Sequence, residues 1–407
     1  MPARPTRRAP LALVALLGML AIIPACSGAD GGQAAATVAR DSAGVTLVEN
    51  PSPPDGESER SPFHVGAEPS LTLGGSDDDP LFRVTGVLRL SDGTIVVANS
   101  GSSQLRYYTA TGELLRTVGG KGGGPGEFEA LDWISLLPGD SVIAFDRLNR
   151  RFTVLDPAGG VARSYQPPQG VAPRPLGVQP GGSILVRTAS VGSAGDLPGN
   201  GAVRDSSTIS LMLPDGSMGM ELARLPGDER VINISDRGID IFVPPFAARF
   251  IAAAADGGFW AQRRDSYELE YRGLDGQLLR LLRLDLTPRR SIPAMLDAYV
   301  ERAVGAMPDG PQRQARERTL RALPVPETLP MIAALLVDTV GRLWAQDFMA
   351  PGDSTALWRV FDADGRRLGE VTMPRGFTLL RIQADRLLGV QLDENDVEEV
   401  RIYPLVP

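Results

Sequence analysis

Strand-length apolar runs separated by glycine-containing turns recur along most of the chain. The repeating unit is clearest over residues 84–120, where four runs rich in β-branched and aromatic residues are separated by turns that include Asp92-Gly93 and Thr111-Gly112. Such runs joined by tight turns predict antiparallel β-hairpins. We therefore expect each unit to form a four-stranded antiparallel sheet, with its strands named A, B, C and D in chain order.

The turns indicate how many units the chain contains. The turn between strands A and B occurs six times, at Asp92-Gly93, Pro138-Gly139, Gly181-Gly182, Asp256-Gly257, Val340-Gly341 and Ala384-Asp385. The turn between strands C and D occurs five times, at Thr111-Gly112, Gly159-Gly160, Asp215-Gly216, Asp275-Gly276 and Asp364-Gly365. The last unit therefore lacks strand D, and residues 71–75 (LTLGG) match residues 116–120 (RTVGG), which belong to strand D of the first unit. Six units completed by an N-terminal strand predict an all-β, six-bladed β-propeller of four-stranded antiparallel blades over residues 62–407.

The first unit also carries a family resemblance. Residues 92–128, which include the runs DGTIVVANS and LLRTVGGKGGGPGEF, resemble an NHL-type repeat. The chain as a whole is similar to the TolB-like, six-bladed propeller lipoproteins of bacteria. This resemblance implies a ring of six blades, but it implies no single function, because such propellers include both enzymes and binding proteins.

The N-terminus has the pattern of an export signal. Three arginines within the first eight residues precede the short apolar run Leu11–Ile23, which fits the central region of a secretory signal better than a membrane span. The following Ile23-Pro24-Ala25-Cys26 resembles a bacterial lipobox, in which the cysteine carries the lipid. We expect a lipoprotein signal peptide over residues 1–25, and lipidated Cys26 with a tether over residues 26–61.

These N-terminal features also predict a location. A lipid on Cys26 would anchor the exported protein in a membrane of the cell envelope. The residue after the cysteine is Ser27 and not aspartate, which favours sorting to the outer membrane. The propeller would then lie either in the periplasm or at the cell surface.

The longest insertions fall on one face of the predicted propeller. In such a fold the A–B and C–D turns lie on one face, and the B–C and D–A connections lie on the other. The insertions are all B–C or D–A connections, at residues 119–128, 188–206, 226–248, 286–329 and 348–356. Loops that vary on one rim of a rigid scaffold commonly carry binding, so we expect this loop-rich face to bind a partner.

One insertion, between the fourth and fifth blades, has a helical pattern over about residues 287–323. Its apolar positions form one stripe at helical spacing, at Ile292, Met295, Leu296, Tyr299, Val300 and Ala303. Pro311 follows a break and suits the first turn of a second helix. The pattern predicts a helical hairpin that either packs its stripe on the rim or acts as a lid or docking element.

Polar residues end several of the predicted B strands and would form a ring near the mouth of the channel. The members that we assign to a binding site are Asn99, Asp146, Arg263, Asp347 and Gln391. Their oxygens suit Ca²⁺, although the arginine in the same ring would repel a cation. The alternative is that strand ends of this kind carry Asp or Asn to bond turn amides.

Composition excludes several kinds of chemistry. The 407 residues include one His and one Cys, so neither an intramolecular disulfide nor a multi-histidine metal site is available. The formal net charge of −8 argues against nucleic acid as the main partner. We assign no catalytic residue and no metal ligand.

These observations favour a lipid-anchored binding or scaffold propeller that engages an envelope protein, a peptide or a glycan through its loop-rich face, without catalysis or cofactor. The alternative, implied by the resemblance, is a Ca²⁺-dependent lactonase-like hydrolase or a streptogramin-lyase-like lyase with its site at the channel mouth. A third hypothesis is a structural subunit of an envelope complex.

Overall fold

A computed structural model describes residues 37–52, 61–75, 79–189, 199–236, 238–263 and 265–406. The predicted signal peptide and Cys26 lie outside the described residues. The fold is mostly β. Its first fourteen strands are β1 (Val38–Ser42), β2 (Val45–Asn50), β3 (His64–Val65), β4 (Leu71–Gly74), β5 (Val84–Arg89), β6 (Ile95–Asn99), β7 (Gln104–Tyr108), β8 (Leu114–Gly119), β9 (Leu131–Leu136), β10 (Val142–Asp146), β11 (Arg151–Leu155), β12 (Val161–Tyr165), β13 (Arg174–Val178) and β14 (Ile184–Ala189).

The remaining elements include two helices. In chain order they are β15 (Gly201–Met212), β16 (Met218–Ser235), β17 (Gly238–Phe242), β18 (Ala252–Ala255), β19 (Gly258–Gln262), β20 (Glu268–Gly273), β21 (Leu278–Leu284), α1 (Pro293–Val304), α2 (Pro311–Ala322), β22 (Ile332–Val337), β23 (Leu343–Asp347), β24 (Leu357–Phe361), β25 (Arg367–Thr372), β26 (Thr378–Ile382), β27 (Arg386–Leu392) and β28 (Glu398–Val406).

Consecutive strands pair into antiparallel sheets, as the turn pattern predicts. The described residues form six sheets, which we number by the order of their A strands: β5–β8, β9–β12, β13–β17, β18–β21 with β1 and β2, β22–β25, and β26–β28 with β3 and β4. The first, second and fifth sheets contain four consecutive strands each. In the first two sheets strand B is entirely buried and strand D is largely exposed. The turns require glycine: Gly93 and Gly112 have φ of 93° and 95°, which side chains with a Cβ rarely adopt.

The six A strands lie side by side. β5 packs against β9, β9 against β13, β13 against β18, β18 against β22 and β22 against β26, and β26 packs in turn against β5. Small residues allow these close approaches. A Cβ on Gly86 would lie 2.6 Å from Ile134, and one on Gly177 would lie 2.5 Å from Ala254.

The strand predicted to complete the last unit pairs where expected. β4 is antiparallel to β28, with Leu73 opposite Val400 and Thr72 opposite Arg401. The short strand β3 pairs with the end of the same strand. Leu73 and Val400 are both buried in one cluster with the first sheet, so this N-terminal segment is part of the core.

Part of the segment assigned to the tether is β structure. β1 and β2 form a hairpin, and β2 pairs in parallel with β21 at the outer edge of the fourth sheet. Buried Asn50 donates to the Gly365 carbonyl at 3.0 Å and accepts from the Arg367 N–H at 2.9 Å. The tether can therefore not extend through residues 38–50. The sequence reasoning missed this hairpin because it lies outside the repeat.

Two of the insertions predicted as loops are strands. β15 and β16 extend beyond the third sheet as a long hairpin, in which Gly201 is opposite Ile232, and β17 adds a fifth strand. The prediction of loops at 188–206 and 226–248 was therefore wrong for residues 201–206 and for most of 226–242. In the long hairpin the main-chain N–H and C=O groups bond to each other, whereas in an open loop they would bond to water.

The helical insertion is confirmed, with helices α1 and α2 inside the predicted range. Proline occupies the first turn of each helix. Val300, Val304 and Leu320 pack against Val231 of the long hairpin and Phe242 of β17. Leu296, Tyr299 and Val300 of the predicted stripe thus face the insertion of the third sheet, whereas Ile292 and Ala303 are exposed. No helix in the described part of the chain is long and apolar enough to cross a membrane.

Candidate functional site

The insertions from three sheets pack together. Besides the contact between the helices and the long hairpin, Phe246 lies 5.6 Å from Tyr299 of α1 and 6.3 Å from Phe348 between ring centres. Leu329 and Ala350 complete this second apolar cluster. These contacts turn separate B–C and D–A connections into one accessory layer on a rigid set of sheets.

Four arginines line a cavity of about 910 Å³ beside this layer. Arg174 begins β13, Arg187 lies near the end of β14, Arg230 lies in β16 and Arg249 lies in the connection between β17 and β18. We call it the arginine cavity. The loop before strand A, the end of strand B and the connection after strand D all lie at the loop-rich face, so the cavity belongs to that face.

Two of these arginines are held in place by carboxylates. Arg187 donates through Nη2 to Asp228 at 2.7 Å and through Nε to Ser207 at 2.8 Å. Its guanidinium also lies 4.4 Å from the centre of the Phe250 ring. Arg230 lies 3.6 Å from Asp228 and the same distance from nearly fully buried Asp205.

Asp228 is the centre of this charge network. Burial alone would raise the pKa of its carboxyl, but the Phe250 N–H at 3.0 Å and the Arg187 guanidinium stabilise the anion. Their combined effect holds the pKa of Asp228 below its usual value. The carboxylate therefore stays ionised at neutral pH and holds Arg187 in position.

The other two arginines are available to a ligand. Arg174 and Arg249 are exposed, and neither has an ion pair or a side-chain hydrogen bond within the described residues. Four arginines against Asp205 and Asp228 leave the cavity positively charged in a chain with a net charge of −8. Guanidinium groups bind carboxylates and phosphates through paired hydrogen bonds, so this arrangement can hold an anionic group.

A second cavity, of about 540 Å³, lies between the accessory layer and the fifth sheet. Asp347 and Arg359 line it, and Arg359 donates to Asp347 at 2.8–3.2 Å and also to Glu370. Burial raises the pKa of Asp347, while Arg359 opposes that shift. Tyr267 is buried beside this group, and its hydroxyl has no hydrogen-bond partner within the described residues.

Two members of the predicted polar ring bond to main-chain groups of adjacent turns and connections. Asp146 is fully buried and accepts hydrogen bonds from the main-chain N–H groups of Glu129, Ala130, Leu148 and Asn149 and from the Asn149 side chain, at 2.6–3.1 Å. Asn99 is also buried, and it accepts from the Phe82 N–H at 2.8 Å. These contacts match the turn-amide role that the sequence left as an alternative.

The other three ring members also bond within their own sheets. Arg263 lies 3.8–3.9 Å from Glu268 and Glu270. The Gln391 amide donates to a main-chain carbonyl at 3.1 Å, and Asp347 is bonded to Arg359. Among the five predicted residues only Asp347 lines a cavity described here. A role of the whole ring in binding stays a prediction.

These contacts do not fit a shared calcium site. The oxygens of Asp146 already accept five N–H groups, and the charge of Asp347 is balanced by Arg359. Within the described ranges, no group of three or more His, Cys, Asp or Glu residues is placed to hold a metal ion. We therefore derive no chemistry through a metal.

The arginine cavity was missed in the sequence because its residues are far apart along the chain. Arg174 and Arg249 are separated by a complete sheet and its insertion. The one available signal was Arg187, a charged residue that follows the apolar run Ile184–Val186 directly and precedes the predicted insertion 188–206. Only the packing of the third sheet against the connection to the fourth brings the four side chains together.

Comparison with known proteins gives low similarity throughout. No protein-family model matches the sequence, and no curated protein matches it. An exported-type protein from Bacteroides fragilis is a structural neighbour, with 11% identity, coverage of 89% of this chain and 99% of that chain, and a TM-score of 0.49.

Two enzymes are also structural neighbours. A gluconolactonase from Xanthomonas campestris has 14% identity, coverage of 84% and 97% of the two chains, and a TM-score of 0.41. A virginiamycin B lyase from Staphylococcus aureus has 10% identity, coverage of 80% and 94%, and a TM-score of 0.38. Similarity at this level assigns no activity and no site to the present chain.

Proposed function

We propose that this protein is an exported, lipid-anchored binding propeller that holds an acidic peptide, protein segment or glycan in the arginine cavity and catalyses no reaction. The observation that carries the proposal is a pair of exposed arginines, Arg174 and Arg249, which line a cavity of about 910 Å³ and have no ion pair or side-chain hydrogen bond within the described residues. That volume suits a short stretch of peptide or a few sugar units. Two fixed and two free guanidinium groups provide recognition without requiring a nucleophile or a base.

The scaffold of the proposal is a six-bladed ring of the NHL or TolB-like type. Its support is the side-by-side packing of six A strands, which returns from β26 to β5. Further support is the pairing of β4 with β28, which would close the last blade. A closed ring leaves no sheet edge open at the joint and holds the loop-rich face rigid.

The anchor of the proposal is a lipid on Cys26, with the outer membrane as its location. Its support is the lipobox-like run before the only cysteine of the chain. We expect Cys26→Ala to move the protein from the membrane fraction to the soluble fraction of the envelope, measured by fractionation and by the mass of the N-terminal peptide. Retention of the variant in the membrane fraction would contradict lipid anchoring.

The binding proposal is tested with two anionic probes, poly-L-glutamate as an acidic peptide and polygalacturonate as an acidic glycan. The double variant Arg174→Gln/Arg249→Gln removes the two free guanidinium groups. We expect it to bind its preferred probe at least tenfold more weakly than the unmodified full chain, because each charge-assisted contact contributes about 1.5–3 kcal/mol. Calorimetric titration in detergent at fixed salt concentration measures the loss.

The matched control is Arg316→Gln/Arg318→Gln on α2. It removes the same two charges from exposed positions outside the cavity, so its affinity should stay within about twofold of the unmodified chain. Equal loss in both double variants would mean non-specific attraction and would refute the site. If the unmodified chain bound neither poly-L-glutamate nor polygalacturonate, the proposed function would be refuted.

A further inference from the structure

A separate cavity of about 610 Å³ runs between the six A strands. Residues of β5, β9, β13, β18, β22 and β26 all contribute to its wall, and the cavity reaches the A–B turns at Asp256 and Thr339. We call it the channel. The arginine cavity lies at the opposite, loop-rich ends of these strands, so the two sites are distinct.

The wall of the channel is mostly small and aliphatic. Residues 252–255 contribute four alanines, and residues 335–337 contribute two leucines and a valine. Gly86 and Gly177 mark places where neighbouring A strands come closest. None of these alanine, leucine and valine side chains carries a group that could pair with a charge in the channel.

Arg381 of β26 is an exception among the residues that line the channel, because its side chain carries a positive charge. It has no ion pair and no side-chain hydrogen bond within the described ranges of the chain, although it is only partly accessible to solvent. Burial alone lowers the pKa of its guanidinium to about 10, with no carboxylate close enough to oppose this shift. The group therefore remains a cation at neutral pH, and five N–H donors are available for hydrogen bonding.

The carboxylates that share the channel do not neutralise this cation. Asp338 accepts hydrogen bonds from the Val340 and Arg342 N–H groups, from Arg342 Nε and from Trp344 Nε1. Asp256 is exposed at its turn and has no effect on the pKa of Arg381. Arg381 is partly accessible to solvent and has no ion pair within the described residues, so an anion from outside the chain could reach its guanidinium and bind it by charge-assisted hydrogen bonds.

We propose that the channel binds one small oxyanion group, a carboxylate or a phosphate, through the guanidinium of Arg381. The planar fork of arginine matches both groups, and a cavity of about 610 Å³ has room for a small molecule. The proposal does not rest on the function assigned to the arginine cavity, because it depends on Arg381, which lines the channel and not the arginine cavity.

The test uses the full chain in the Arg174→Gln/Arg249→Gln background, so that the arginine cavity does not contribute to anion binding. Inorganic phosphate and acetate are titrated separately by calorimetry at constant ionic strength. We expect one anion to bind per chain, and Arg381→Met to weaken that binding at least tenfold. Binding of phosphate alone would identify a phosphate group, binding of acetate alone would identify a carboxylate, and equal binding of both would show that the site accepts either oxyanion.

The matched control is Arg386→Gln, which removes an arginine that is already paired with Asp385 in the adjacent turn. Its affinity for the anion should not change by more than about twofold. The proposal is overturned if Arg381→Met binds phosphate and acetate as tightly as its background does. It is also overturned if neither anion binds that background at up to about 10 mM, well above the range of a specific site.

A measurement on the unmodified chain covers the case in which Arg381→Met does not fold. Phenylglyoxal modifies accessible guanidinium groups, and peptide mass spectrometry reports the extent of modification at Arg381. We expect the bound anion to slow modification of Arg381 at least fivefold while exposed Arg316 reacts unchanged. Equal rates at Arg381 with and without both anions would overturn the proposal.

Discussion

Asp146→Ala is expected to lower the free energy of unfolding by about 3–5 kcal/mol. The fully buried carboxylate accepts five hydrogen bonds that hold the B–C turn and the preceding connection of the second sheet. Alanine would leave four main-chain N–H groups without this acceptor, and each unsatisfied group costs on the order of 1 kcal/mol or more. Denaturant unfolding measured by circular dichroism gives the change.

A matched control separates the role of Asp146 from general effects of charge. Asp132 lies in the same sheet, is partly exposed and approaches Arg147 only to 3.7 Å, so Asp132→Ala should cost less than about 1 kcal/mol. Asp146→Asn should fall between the two variants, because one acceptor oxygen remains. If Asp146→Ala were as stable as the unmodified chain but lost ligand binding, the polar ring would be a binding site and not a set of turn supports.

Arg359→Met is the second substitution with a large expected effect, again about 3–5 kcal/mol of unfolding free energy. Arg359 is largely buried between Asp347 and Glu370 and bonds to both. Methionine keeps much of the volume but removes the guanidinium that bonds to both carboxylates in a poorly hydrated site, and Arg367, which lies 3.6 Å from Glu370, stays as a nearby cation. The measurement is denaturant unfolding at pH 7.

The pH dependence of this loss has a definite sign. Burial already raises the pKa of Asp347 in the folded protein, and Arg359 opposes the rise. Without Arg359 the pKa rises further, so the folded variant binds a proton more tightly than the unfolded chain does. The variant therefore gains stability as the pH falls through this raised pKa and loses it as the pH rises. We expect the deficit relative to the unmodified chain to be smaller at pH 5 than at pH 7.

The control for this pair is Arg366→Met. Arg366 is half exposed and lies 3.5–3.9 Å from Asp362 and Asp364, so its loss should cost less than about 1 kcal/mol at both pH values. A deficit of Arg359→Met that is equally small, or that grows towards pH 5, would contradict the assigned charge network.

The order of the strands could be predicted because short sequence patterns, each within one unit of the repeat, specify it. Turn residues such as Asp92-Gly93 and the pairing of residues 71–74 with the last strand follow from short patterns that repeat. The helical insertion could also be predicted, because one apolar stripe at helical spacing and one proline indicate its two helices. The hairpin of β1 and β2 was not, because its parallel pairing with β21 joins segments more than 200 residues apart.

The sites divide in the same way. Polar residues at the ends of B strands were visible in the sequence, but whether their oxygens face a ligand or a turn depends on hydrogen bonds that only the folded turns provide. Asp146 shows this, since its position was predicted and its five donors were not. The arginine cavity offered one local signal, Arg187, and Arg381 offered none, because the groups that surround these side chains come from distant parts of the chain.

Four features follow from the amino-acid sequence without the structure: the all-β class, the alternation of short strands and glycine turns, the N-terminal strand that pairs with β28, and the helical insertion. These depend on interactions between residues close in the chain or on repetition of one unit. The tertiary structure alone decided which insertions pack together and which charges find partners. That difference has a physical reason: the energy of a charge depends on everything within a few ångströms of it in space, and for Arg174, Arg249 and Arg381 those neighbours come from distant parts of the chain.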